Sequence, residues 1–170
     1  MNGITERRLE EIPLAEDVAV SWWQCKPVEV MARTALMGSI TLDVRERRPW
    51  LESRRLAGHA VTALRQLATV TGVSVYAYCV MPDHVHLVIG RSARCDLRTF
   101  ALRFKRQVQR AAWDAGLRER LWQASFRGHV VRHPEQLRFV MGEVLENPVR
   151  RGLARYWKEY PYAGSLTLDP

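Results

Sequence analysis

A chain of 170 residues, 47% of them hydrophobic, has the size and apolar content of one ordinary domain with a proper core. Its 26 Lys and Arg against 18 Asp and Glu give a formal charge of +8, which favours a polyanionic partner, nucleic acid before membrane. Cys25, Cys79 and Cys95 form no C-x-x-C pair, which excludes a disulfide framework and a cysteine zinc site, and the charged N-terminus and lack of a long apolar run exclude a signal peptide and a membrane span.

A soluble cytoplasmic protein is therefore expected. Lys26, Lys105 and Lys158 are the only lysines, so nearly all the positive charge is arginine, whose planar fork suits bidentate contacts to phosphate and guanine. A biased genome composition produces the same excess.

Residues 1–37 show no clean periodicity and read as an extension packed on the domain, which then runs from 38 to 170. From Ser39, Ile40, Leu42 and Val44 recur in period two and predict a half-buried strand ending near Arg45. Leu56, Val61, Leu64 and Leu67 at helical spacing, followed by Gly72, predict an amphipathic helix with a glycine terminator. Two strands follow, "VSVYAYCV" and "HVHLVIG", joined by a turn at Met81-Pro82-Asp83. A second helix is expected over "DLRTFALRFKRQVQRAAWDAG", with Leu97, Phe100, Leu102, Phe104 and Val108 inward and Arg98, Arg103, Lys105, Arg106 and Arg110 outward as a basic face. "LWQASFRGHVV" holds a short fourth strand, and "PEQLRFVMGEVLEN" is a third helix opening at Pro134. Strand, helix, strand, strand, helix, strand, helix is the α+β, ferredoxin-like split βαβ order with an antiparallel sheet and an added C-terminal helix.

Side chains at i and i+2 leave a strand from one face, so His84 and His86 point together while Val85 and Leu87 face the other layer. Two imidazoles on one rigid face start a divalent metal site, although an H-x-H pair alone fits satisfied structural histidines as well.

Three blocks in order, "MPDHVHLVI", "LWQASFRGHVV" and "ENPVRRGL", with "WKEYPYAGS" after them, resemble the signature of the REP-associated tyrosine transposases, within the HUH single-strand DNA nucleases and akin to IS200-like transposases. The resemblance covers Ser39 to about Ser165 and implies the same ferredoxin-like fold. It implies that His84 and His86, with Asn147 as third ligand, bind Mg²⁺ or Mn²⁺ that polarises a DNA phosphate. It also implies a nucleophilic tyrosine four positions before Asn147. That position is Glu143, and the third helix contains no tyrosine. Glu143 reads as a solvated glutamate of a site that has lost its chemistry, as an extra metal ligand, or as a general base for water. Tyr76 and Tyr78 read as packed strand aromatics, and Tyr156, Tyr160 and Tyr162 as a cap over the sheet.

Gln123 and His129 also match family positions and are expected to touch DNA or support the site. Arg98, Arg103, Lys105, Arg106, Arg110, Arg150 and Arg151 are candidates for following a phosphate backbone, or else an ordinary solvated face. The expected function is a transposase-like or endonuclease-like DNA-binding protein for single-stranded or hairpin DNA, monomeric or homodimeric. The alternatives are a non-catalytic nucleic-acid-binding regulator and, further off, a metal-dependent hydrolase of small phosphoesters.

Overall fold

A computed structural model of the chain describes residues 36–167. They form β1 (Met37–Asp43), α1 (Arg54–Thr71), β2 (Ser74–Met81), β3 (His84–Gly90), α2 (Leu97–Asp114), β4 (Arg127–Val131), α3 (Pro134–Leu145), α4 (Asn147–Arg150) and β5 (Ala163–Gly164). The expected N-terminal extension lies outside the described residues as far as residue 35, and Met37 already belongs to β1.

The five strands form one antiparallel sheet in the order β4-β1-β3-β2-β5. The first four follow the split βαβ order, and the short β5 adds to the free edge of β2. One face carries Ile40 and Leu42 of β1, Val44 just beyond its end, and Val85, Leu87 and Ile89 of β3, packed against α1 and α2 as the main core. The other carries Ala77, Cys79 and Met81 of β2 with Val88 of β3, packed against Val140 and Val144 of α3. Alternation along β3 then puts His84 and His86 on the α3 side, with Val85 and Leu87 on the other.

Both long helices have local reasons to start where they do. The Ser53 side chain accepts from the Leu56 amide at the head of α1, and Asp96 accepts from the Thr99 amide at 2.7 Å at the head of α2. Gly72 closes α1 in the left-handed conformation, φ 70°, that glycine adopts without strain. The inward stripe of α2 is Leu97, Ala101, Phe104, Lys105, Val108 and Ala112 together with Phe100. Two expectations are corrected here. Leu102 is 40% exposed, because a two-residue step from Phe100 turns the helix about 200° to its opposite side. Lys105 is buried, because it stands four residues after Ala101 and three before Val108, within the apolar stripe.

Strand β2 departs from simple alternation. Its register with β3 skips one residue between Val75 and Ala77, a bulge that leaves Tyr76 as the extra residue. Val75 and Tyr78 consequently both face the main core, while Ala77 and Cys79 face α3. Gly90 gives the bulge room, since a Cβ there would meet the Tyr76 ring at 3.0 Å. After β4 and α3 the chain returns along β2: Val80 donates to the Tyr162 carbonyl, Leu166 donates to that of Val75, and the Tyr160 hydroxyl donates to that of Val80 at 2.9 Å. Tyr160 and Tyr162 thus cover the sheet edge as expected, whereas Tyr156 is 64% exposed.

The β1–β4 pairing relies on Gly128, where a Cβ would stand 2.6 Å from the Ser39 carbonyl oxygen. Gly128→Ala should lower stability by about 1–3 kcal/mol. Gly142→Ala, on an open helix surface with nothing within 4 Å, should be neutral or stabilising. Urea titration of both variants checks the contrast.

Candidate metal and nucleic-acid site

The two histidines meet. His84 Nε2 and His86 Nε2 lie 2.9 Å apart with their rings at 83°. That is close to the separation of two nitrogens at neighbouring corners of an octahedral ion with bonds of about 2.1 Å. The far nitrogen of each ring is anchored: His84 Nδ1 contacts Asp83 Oδ1 at 2.6 Å, and His86 Nδ1 contacts the Thr41 hydroxyl at 2.9 Å. When both Nδ1 atoms carry the proton, two lone pairs face one another and call for a cation. When Thr41 donates instead, His86 Nε2–H bonds to His84 and the pair closes on itself. The donor set therefore fits a divalent cation and has a satisfied state without one.

Burial lowers the pKa of both rings. For His84 the Asp83 carboxylate partly opposes this, and for His86 burial, with the charges of His84 and Arg127 adding, brings it to about 3. Both imidazoles are thus neutral near pH 7, the form that ligates. Among the described residues no cluster of three or more His, Cys, Asp and Glu side chains is placed to hold a metal. A third protein ligand would have to be of another type, such as an amide. Asn147 begins α4, and Arg151 at the end of α4 reaches Asp83 at 3.4 Å, which ties that helix to the turn before His84.

Around the histidines runs a chain of alternating charge. Arg127 donates from Nε and Nη2 to Asp43 at 3.0 Å each, Arg47 spans Asp43 and Asp83, and Arg151 closes on Asp83. Burial alone would raise both carboxyl pKa values. For Asp43 the hydrogen bonds and charges of Arg127 and Arg47 outweigh it, and for Asp83 His84, Arg47 and Arg151 do, so both stay below the usual range. Arg47, Arg127, Asp83 and Thr41 were not among the residues singled out in the sequence. For Thr41 and Arg127 a signal was present, because strand alternation puts Thr41 on the histidine side of β1 and Arg127 on the side of His129. Arg47 carried none, as it arrives through a turn with φ 54°.

Other expected site residues are scattered. Glu143 is exposed, and its carboxylate takes both arms of the Arg150 guanidinium, one at 2.7 Å. His129 shares the sheet face of His84 and His86, opposite Ser39, and burial lowers its pKa. Gln123 is exposed, and its backbone N–H donates to the Asp43 carbonyl at 3.0 Å. Arg103, Arg106 and Arg110 are exposed on α2, with Arg98 at its start, but α2 covers the opposite face of the sheet, so this ridge lies a layer away from the histidines. Lys105 does not join it: its ammonium donates to the carbonyls of Gln123, Ala124 and Ser125, the nearest at 2.6 Å. The Trp122 indole donates back to the Lys105 carbonyl at 2.9 Å. Among the tyrosines, Tyr160 is held by Val80 and its pKa is pushed up to about 12 by burial, with Cys79 and Tyr162 adding, far from an activated phenol.

Residues 33–136 match the family described as Transposase IS200 like, well over half of the chain. The chain belongs to the IS200-like transposase family. A Haemophilus influenzae protein described as a REP-associated tyrosine transposase is 26% identical over 100 residues, 51% of this chain and 56% of that protein. This IS200-like chain therefore aligns with little more than half the length of that relative. The structure of a REP-associated tyrosine transposase bound to a REP hairpin shares the fold, with TM-score 0.61 and 20% identity over 76% of each chain. A crystal structure from Deinococcus radiodurans, described as a transposase, aligns with TM-score 0.50 and 26% identity over 66% of this chain and 90% of that one.

Lys105→Met should keep the packing but leave three carbonyls without their donor, costing about 1–3 kcal/mol in a denaturant titration. His129 adds a pH dependence. Its folded pKa lies below the unfolded value of about 6.5, so the unfolded chain binds the proton first, and the stability due to its neutral form is present above that pH and lost as pH falls below it. The urea midpoint should therefore drop between pH 7.5 and 5.5, and His129→Gln should make the drop smaller.

Proposed function

We propose that this chain binds single-stranded or hairpin DNA on the α3 side of its sheet, with His84, His86 and Asn147 holding Mg²⁺ or Mn²⁺ beside a DNA phosphate. The observation that carries the reading is the pair of Nε2 atoms 2.9 Å apart with both Nδ1 atoms anchored. When bound, such a cation withdraws charge from a phosphodiester oxygen and makes phosphorus easier to attack. The chain's own groups supply the rest. Thr41 and Asp83 orient the imidazoles, and Arg47, Arg127 and Arg151 present guanidiniums at the rim, each fixed by a carboxylate. Membership of the IS200-like family and the hairpin held by the REP-associated neighbour support the choice of DNA.

Phosphodiester cleavage or strand transfer by the covalent tyrosine route has no phenol at residue 143. The Glu143–Arg150 ion pair favours a second reading, a binding or regulatory protein that keeps the fold and lacks cleavage, because both carboxylate oxygens are already committed to a cation.

Titration with Mn²⁺ followed by electron paramagnetic resonance should show one site in the wild type, weakened at least tenfold in His84→Ala and His86→Ala. Incubated with a labelled hairpin, the wild type should bind with an affinity that falls steeply with salt and give no adduct stable to denaturation. Glu143→Tyr restores a phenol at that helix position, and any adduct it forms should require His84 and His86. A stable wild-type adduct mapping to Tyr156, Tyr160 or Tyr162 would overturn the reading of a missing nucleophile. Absence of hairpin binding at low salt would overturn the DNA reading.

A further inference from the structure

The arginines on the two sides of the sheet differ in what they meet. Around the histidines they are neutralised where they stand: Arg47, Arg127, Arg150 and Arg151 each lie within ion-pair distance of a carboxylate. On the other side of the sheet the charge is uncompensated. Helix α1 contains Arg54, Arg55 and Arg65 and neither Asp nor Glu, and α2 contains Arg98, Arg103, Arg106 and Arg110 against Asp114 alone. Arg54, Arg55, Arg65, Arg103, Arg106 and Arg110 are exposed, and none of them is in an ion pair among the described residues. On α3 and the turn into α4, by contrast, Glu135, Glu143 and Glu146 outnumber Arg138 and Arg150. The unpaired positive charge of the described helices thus lies on the side away from the histidines.

Helices α1 and α2 pack against each other over the main core, so their outer sides form one continuous surface. Arg103, Arg106 and Arg110 stand at i, i+3 and i+7, a single stripe that rises about 10 Å along α2. A duplex carries one phosphate charge per about 1.7 Å of its axis, so a stripe of that length runs past about six of them. Phe100 and Phe104 are buried on the inner side of α2, and the stripe itself carries no aromatic ring on which an unpaired base could stack. Unpaired guanidiniums on a rigid helix surface, without a stacking platform, suit the outer phosphates of a duplex rather than the bases of a single strand.

We propose that the outer side of α1 and α2 is a second DNA surface, which holds double-stranded DNA through its phosphates without regard to sequence. It goes beyond the single-stranded or hairpin DNA read at the histidine face, because both the form of the ligand and the side of the sheet are different. Single strands and hairpins arise within longer duplex, so a chain that grips duplex on one side keeps its other side near such segments. Backbone contacts of this kind also let a protein slide and hop along DNA.

The test uses the full chain with fluorescent probes of about 20 base pairs or nucleotides, each titrated from about 50 to 200 mM salt: two blunt DNA duplexes of unrelated sequence, a duplex RNA and an unstructured DNA single strand. The wild type should bind both DNA duplexes alike, with log affinity falling steeply against log salt. Combining Arg103→Gln, Arg106→Gln and Arg110→Gln should reduce that slope by about 2 to 3, the loss expected for three phosphate contacts, and weaken duplex binding at least about tenfold at the lowest salt. Lysine at the same three positions should keep the slope, since a point charge also neutralises a phosphate. The single strand should bind the glutamine variant within about twofold of the wild type, as expected for separate sites, and His84→Ala should leave duplex binding unchanged. No duplex binding by the wild type at low salt, a slope unchanged in the glutamine variant or lost in the lysine one, dependence on His84, or equal loss of duplex and single-strand binding would each overturn the second surface. Tighter binding of duplex RNA would overturn the choice of DNA. Failure of the wild type to bind the single strand, with duplex binding intact, would count against the histidine-face reading and leave the second surface standing.

Discussion

Strand β1 is hydrogen-bonded along both edges, to β3 on one side and β4 on the other, and the site depends on that double register. Pairing with β3 sets Thr41 beside His86 and Asp43 beside His84, and pairing with β4 sets Arg127 beside Thr41. A slip of one residue would turn every side chain of β1 over, withdrawing Thr41 and Asp43 into the helix-covered core and exposing Ile40 and Leu42 on the other face. The register is protected by that penalty. Four buried residues on the main-core side of β1 and β3, Ile40, Leu42, Val85 and Leu87, have no tolerable second arrangement. Burial of apolar side chains on one face thus determines the hydrogen-bonding of polar ones on the other.

Much of this was legible from residue spacing. Strand β3, the two long helices with Gly72 closing the first, and the shared face of His84 and His86 all follow from period and the glycine terminator. What escaped has physical reasons. The Tyr76 bulge resets alternation in β2, and a period-two pattern cannot announce a residue that drops out of register. Lys105 was expected outward because charge suggested solvent, whereas its helical position alone put it inward. The block "LWQASFRGHVV" was expected to hold a short strand without bounds, and its first residues bend along the end of β1, through a bridge between Val44 and Trp122, before β4 begins at Arg127. The arginines that ring the histidines come from a turn, a strand start and a helix end, places with no shared sequence pattern.

The position of Glu143 separates two properties that usually travel together. The histidine pair and its supporting groups sit on strands and a strand turn, while the position that the family resemblance assigns to the nucleophile sits on a helix packed over them. A substitution on the helix leaves the strand geometry in place, so a carboxylate at 143 is compatible with an intact imidazole pair. Its partnership with Arg150, seven residues on, also bridges the break between α3 and α4 and stiffens the approach to Asn147.

Lys105 shows that positive charge has shape. In a chain where 23 of 26 basic residues are arginine, the lysine inside the fold meets three carbonyls that converge from successive residues of one bend. An ammonium spreads three N–H bonds as a tripod from a single nitrogen, whereas a guanidinium lays its donors out in one plane and is wider across. The bend around residues 123–125 is a cup fitted to a point charge. An arginine of equal charge would have to push the cup open, so the loop that borders the histidine site is tied to the one cationic side chain small enough to be enclosed by it.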